Sequence, residues 1–303
     1  MQIKIRLYLI LFAFLLFLID RIFFLNSSTQ ISFLVLVLIL FGVPHGALDL
    51  YIDQHFQKSD NNQKIFLVKY IGNIIAYALV WYFLPVVALI IFILITAYHF
   101  GEIDWLGKTD KIVHKLAYSI IGLLWILLLL SKNIHLALQI FIRMERSALN
   151  ENQLIHLAQY IYPLSLAGLL IIYIILFFFK SIFFQNNKLY YYLVIQQITL
   201  IFFAFLMPLW LCFAFYFGFW HSLLSFDKIR ITFNLTNDFK GWKSLLFKAA
   251  PFSIMAWFGF IYITFLTLNS KDASGIFTLL FISLSVLALP HLQIFTKLKL
   301  KPE

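Results

Sequence analysis

The sequence predicts an all-α protein, a polytopic bundle of about ten transmembrane helices. Three observations predict it. Of 303 residues, 63% are hydrophobic and 12% charged, against roughly 45–50% and about 25% in soluble domains. Apolar runs near the length needed to cross a bilayer, about 20 residues, recur along the chain. Lys and Arg are distributed unevenly between the polar segments that separate those runs.

Ten spans follow in order: 5–25, 30–50, 64–84, 85–105, 112–131, 161–184, 189–207, 208–226, 250–268 and 275–296. Pro85 and Pro208 mark two tight junctions, because proline suits the first turn of a new helix and not the interior of an old one. Lys4 and Arg6 precede the first apolar run, and Asp20-Arg21 follows it with no small-residue cleavage site. The expectation is an uncleaved span. Residues 132–160 mix Arg143, Glu145, Arg146 and Glu151 with apolar residues, the pattern of an interfacial amphipathic helix. With the N-terminus in the cytoplasm, 18 of the 23 Lys and Arg fall inside and 5 outside. This places both termini in the cytoplasm, with the bacterial inner membrane as the expected location. No linker, low-complexity run or internal repeat appears, so residues 1–303 read as a single integral membrane domain.

The net charge of +10 is accounted for by these flanks, and no nucleic-acid motif accompanies it. The single cysteine, Cys212, excludes an internal disulfide and a cysteine metal site; it reads as a small packed residue.

The histidines carry the chemistry. His55, His114, His135 and His156 lie in or beside polar segments and read as solvated or interfacial. His45, His99, His221 and His291 lie in apolar surroundings. In the ten-span topology each sits on a helix running from outside to inside, four to seven residues before its cytoplasmic end. At 1.5 Å per residue that is a common depth of roughly 6–10 Å. Nothing in the basic-residue count used the histidines, so the coincidence is independent. One buried histidine is often only hydrogen-bonded to a neighbouring helix; four at one depth can converge on a centre.

Imidazole suits Zn, Cu, Fe and Ni, whereas Mg and Ca prefer oxygen. Asp49 follows His45 by four residues and Glu102 follows His99 by three. Each shares its histidine's helix face if the helix continues, where a carboxylate accepts a ligand's second ring N–H. The plainer reading of both acids, and of Asp104, is a position at the cytoplasmic interface. Among 36 Phe and other aromatics, Tyr98, Phe100, Tyr216 and Trp220 are candidates to line a channel for a long unsaturated ligand, beside ordinary helix packing. Phe215 and Phe219 share that neighbourhood. Gly42, Gly46, Gly101 and Gly218 are candidates for close helix approach.

Gly-Val-Pro-His-Gly-Ala-Leu-Asp (42–49), Tyr-His-Phe-Gly-Glu-Ile-Asp (98–104), Trp-His-Ser (220–222) and Leu-Pro-His (289–291) resemble the Brp/Blh family, membrane β-carotene 15,15′-dioxygenases of microbes that make rhodopsins. The first two motifs are fairly specific; the last two are short. The resemblance implies an all-helical membrane enzyme with Fe(II) that cleaves the central double bond of β-carotene with O2, giving two all-trans-retinal. It further implies His45, His99 and His221 as iron ligands, membrane lipid as the environment, and a microbial rhodopsin as retinal acceptor. No nicotinamide cofactor and no nucleic acid are implied.

One departure stands out. The family carries a second histidine four residues after the Trp-His one, and this chain has Ser225 there. Three histidines suffice, or His291 completes the set, or the chain is a non-catalytic carotenoid- or retinal-binding homologue. Two further classes are weighed. A transporter using histidine proton relays lacks support from repeat symmetry, and a desaturase-like enzyme lacks HxxxH or HxxHH boxes in this sequence.

Overall fold

The computed structural model describes residues 2–56, 63–109, 111–135, 137–138, 151–269 and 273–298. Among them the chain is helical and has no strand. The helices are α1 (Gln2–Phe23), α2 (Ser27–Val37), α3 (Val43–Gly46), α4 (Asp49–Phe56), α5 (Gln63–Phe83), α6 (Pro85–Asp104) and α7 (Ile112–Lys132). After them come α8 (Glu151–Phe178), α9 (Lys180–Phe183), α10 (Asn187–Leu206), α11 (Leu209–Phe213), α12 (Ser222–Thr232), α13 (Phe239–Asn269) and α14 (Ala273–Phe295). Two π-helical segments interrupt the series: Leu38–Gly42 joins α2 to α3, and Ala214–His221 joins α11 to α12.

Each of the ten expected spans falls on helix. Among the described residues eight helices are long and apolar enough to cross a membrane, and Phe281–Phe295 is a shorter apolar helix. The chain is thus a multi-pass helical membrane protein. Of the expected interfacial helix over 132–160, residues 136 and 139–150 lie outside the described residues. Its last part, from Glu151, is instead the opening of α8.

Contacts group the chain into two compact units: residues 1–78, 205–272 and 283–303 form the first, and residues 79–204 and 273–282 the second. In the first, Leu209–Thr232 is the most enclosed span. Phe219 holds three partners to it, with rings 4.6 Å from Phe12, 6.0 Å from Phe33 and 4.9 Å from Phe41. Each such aromatic pair adds about 0.5–1.5 kcal/mol beyond area burial. Gly218 admits α2 to the same face, since a Cβ there would stand 2.0 Å from Val37 Cγ1.

In the second unit α6 and α7 meet backbone to backbone. A Cβ at Gly101 would lie 1.9 Å from the Tyr118 carbonyl oxygen, and one at Gly122 would lie 2.0 Å from that of Ala97. Lipid offers little hydrophobic drive between helices, so close approach at small residues supplies the packing energy. Trp105, Tyr118, Ile121, Leu128, Leu169 and Leu193 form its core. Gln196 Nε2 donates to the Asp104 carbonyl oxygen at 3.2 Å, tying α10 to the end of α6.

Candidate metal centre

His45 and His221 are both delivered by π-helical backbone. His45 stands three residues after the segment Leu38–Gly42, within α3, and His221 is the last residue of Ala214–His221. Single π turns inside α-helices often mark functional positions, because the widened turn re-aims a side chain. Pro44 explains part of the first one. It has no N–H, so a backbone acceptor about one turn earlier loses its donor. The Trp257 indole N–H fills that role, donating to the Ile39 carbonyl oxygen at 3.0 Å.

The two rings meet edge to face with centroids 5.2 Å apart, and each offers a nitrogen within 4.8 Å of the other. Phe217 stacks on His221 at 6.0 Å. His291 follows Pro290 near the end of α14, and its ring lies 5.0 Å from that of His45. All three histidines are buried.

Asp49 does not serve His45, as the i,i+4 spacing suggested. The α-helix is interrupted by a turn at Ala47 and Leu48, and Asp49 opens α4. Its Oδ1 instead lies 2.7 Å from Nδ1 of His291, 242 residues away in sequence. The contact is placed for an Nδ1–H of His291 to donate to Oδ1, the tautomer that leaves Nε2 with the lone pair. The other oxygen, Oδ2, accepts from the Tyr70 hydroxyl at 2.8 Å. Asp49 is itself buried. Tyr70 was not legible in the sequence, being one of 15 Tyr on a separate helix with no motif around it.

Tyr70 also borders a cavity of about 760 Å³ within the first unit. Its polar lining includes Asp53, Lys69, Asn73, Gln293 and Lys297. Two contacts cross this region: Asn73 Nδ2 donates to Gln293 Oε1 at 2.8 Å, and Lys297 Nζ pairs with Asp53 Oδ1 at 2.5 Å.

His99 lies in α6 in the second unit, buried, with Glu102 one turn further on the same unbroken helix. Beside it the rings of Tyr98 and Tyr118 pack 5.3 Å apart. Phe100 and Tyr216 are buried, and Trp220 is fully so. Trp220 packs on Phe215 at 6.2 Å and beneath the Arg6 guanidinium at 5.6 Å. Of the remaining histidines, His55, His135 and His156 are exposed, as read from the sequence. His114 departs from that reading. It is buried at the first turn of α7, with its ring 5.5 Å from that of Phe183.

Ser225 lies one turn beyond His221 and is completely buried. Its Oγ has no hydrogen-bond partner among the described residues. A buried polar group without a partner costs free energy, so a hydroxyl here carries no evident structural benefit.

Comparison with known proteins bears on these features. Residues 36–299 match the beta-carotene 15,15′-dioxygenase family. The chain belongs to that family. A beta-carotene 15,15′-dioxygenase from uncultured marine bacterium 66A03 is 35% identical over 111 residues, which cover 34% of this chain and 39% of that relative. The matched stretch thus spans about two fifths of the relative's length. No solved structure matches the chain. Family membership extends over three of the four motifs singled out in the sequence as blocks of apolar helix carrying a histidine, and over the fourth at Leu289–His291 as well.

Proposed function

We propose that this chain cleaves the central 15,15′ double bond of β-carotene with O2, giving two all-trans-retinal. The observation that carries the reading is the buried gathering of His45, His221 and His291 inside an apolar helical bundle of this family. The balance needs no outside reductant: one C=C bond and one O=O bond break, and two aldehyde C=O bonds form.

The residues fit a ferrous ion. Buried imidazoles are costly in a membrane unless their nitrogens are engaged, and an all-nitrogen donor set favours a transition metal over Mg or Ca. We assign His45, His99 and His221 as the ligands, following the family pattern. Ferrous iron, when bound, supplies the electron-transfer chemistry that O2 needs to react with a closed-shell alkene. The chain's residues bind and orient. The imidazoles hold the ion in the apolar interior, and the aromatic residues around them, among them Tyr98, Phe100, Tyr216 and Trp220, give a polyene an apolar path and keep water out. The expected setting is a bacterial inner membrane with cytoplasmic termini, delivering retinal to a microbial rhodopsin.

Ser225 favours a second reading, a homologue that binds carotenoid or retinal without cleaving it. Expression in a β-carotene-producing bacterium separates the two. Retinal in extracts as carotene falls, relative to an empty vector, supports the dioxygenase. Unchanged carotene with the protein inserted in the membrane overturns it and leaves the binding homologue.

A further inference from the structure

We propose that Tyr70 and Asp49 form a positioning pair that presents His291 as the metal donor replacing the one absent at position 225. The inference rests on the iron reading above and deepens it. Its basis is a continuous chain of contacts. The Tyr70 hydroxyl donates to Asp49 Oδ2 at 2.8 Å, and Asp49 Oδ1 is placed to accept from Nδ1–H of His291 at 2.7 Å. Both carboxylate oxygens are thereby committed, which fixes the rotation of the carboxylate. The carboxylate in turn fixes the tautomer and plane of the imidazole, leaving Nε2 as the basic nitrogen.

The placement puts His291 beside His45. His291 sits 5.0 Å, ring to ring, from His45, about as close as His45 is to His221 at 5.2 Å. Gly46 lies beside it, its Cβ position 3.7 Å from His291 Nδ1, so the residue after His45 leaves the imidazole room. At position 225, by contrast, the hydroxyl is buried on the turn following His221 and is bonded to nothing among the described residues. The sequence lost an imidazole on one helix, and the fold holds another, oriented, on a different one.

Tyr70 is a positioning residue, since it acts through Asp49. Tyr70 also lines the cavity of about 760 Å³.

The test uses the purified full chain in detergent and Co(II) alone as probe, since its visible d–d bands report the donor set without any carotene. Wild type should bind Co(II). Tyr70→Phe should weaken binding about 10-fold, near the lower end of the 10–100-fold range for loss of an orienting partner. His291→Ala should weaken it further and shift the bands. Added imidazole should return the bands of His291→Ala, and Ser225→His in that background should recover affinity without imidazole. Should the double variant fail to fold, the imidazole arm decides alone. Wild-type affinity and unchanged bands in His291→Ala overturn the proposal, as does folded His291→Ala that ignores imidazole. A wild-type protein that binds neither Co(II) nor Fe(II) removes the iron reading itself, and that failure is seen before any variant is made.

Discussion

Gly101→Ala isolates the packing that supports α6, the helix carrying His99. An ideal Cβ at residue 101 would lie 1.9 Å from the Tyr118 carbonyl oxygen. Ordinary C···O contacts begin near ~3.3 Å, so α6 and α7 must separate locally by about 1.4 Å. The obstacle is backbone, which cannot rotate away. Overpacking of this kind costs ~1–3 kcal/mol. Against it stands the gain of ~0.5–1 kcal/mol from replacing a helical glycine by alanine. The matched control is Gly259→Ala in α13, where a Cβ meets nothing within 4 Å. The control should therefore be neutral or slightly stabilised, while Gly101→Ala is destabilised by ~1–2 kcal/mol. Reversible unfolding in mixed micelles, titrated with SDS and followed by tryptophan fluorescence, measures the pair under one condition. If Gly101→Ala unfolds at the same SDS fraction as Gly259→Ala, the close-approach argument is wrong.

Other expectations follow from the same geometry. His45→Ala, His99→Ala and His221→Ala should each abolish retinal formation and iron uptake while the protein remains inserted in the membrane; normal retinal from any of them refutes its assignment as a ligand. Trp257→Phe removes the 3.0 Å hydrogen bond to the Ile39 carbonyl oxygen and should cost ~1 kcal/mol in the same micelle titration, whereas an unchanged midpoint would show that this carbonyl finds another donor. Asp238 caps α13, accepting from the Thr236 hydroxyl at 2.6 Å and the Gly241 N–H at 2.8 Å. These bonds, the hydroxyl first, hold its carboxyl below the usual 3.8. The folded value is the depressed one, so the cap is fully present above the usual carboxylate value and is lost as pH falls through the lower one. Asp238→Ala should thus speed amide exchange at Gly241 at neutral pH, with the difference from wild type closing only below pH 3.8; a difference that closes near pH 6 would contradict the capping role.

Much of the fold was legible because lipid imposes a simple rule: a helix must be long and apolar to cross it, and the charged residues must gather at its ends. All ten expected spans fall on helix, and among the described residues eight helices are long and apolar enough to meet that rule. The failures are local. At 132–160 the polar residues suggest a helix lying along the surface; residues 136 and 139–150 lie outside the described residues, and from Glu151 the chain is in α8. His114 was assigned to a polar segment from Lys111 and Lys115 beside it, but periodicity turns it inward while the lysines point elsewhere. The site was legible as residues and not as partnerships. His45 and His221 were readable because imidazole in an apolar run is conspicuous. Tyr70 was not, because a tyrosine in a membrane helix is unremarkable until its hydroxyl is seen to have a partner.

The reassignment of Asp49 shows what separates these two kinds of legibility. Spacing along one helix predicts neighbours only while the helix lasts. Here the same motif that supplies His45 also supplies Pro44, and the backbone around it is π-helical before and broken after. The break lets one short stretch, 45–49, contribute a histidine to the cluster and a carboxylate to a histidine from the far end of the chain. A continuous helix would have stacked Asp49 against its own His45 and left His291 unoriented. The irregular backbone therefore does chemical work that regular helix cannot: it sends consecutive polar residues of one motif to different partners. On the proposed iron reading, position 225 alone is therefore a poor guide to the donor set, since the proposed donors come from several helices and a histidine four residues after His221 is only one way to provide an imidazole.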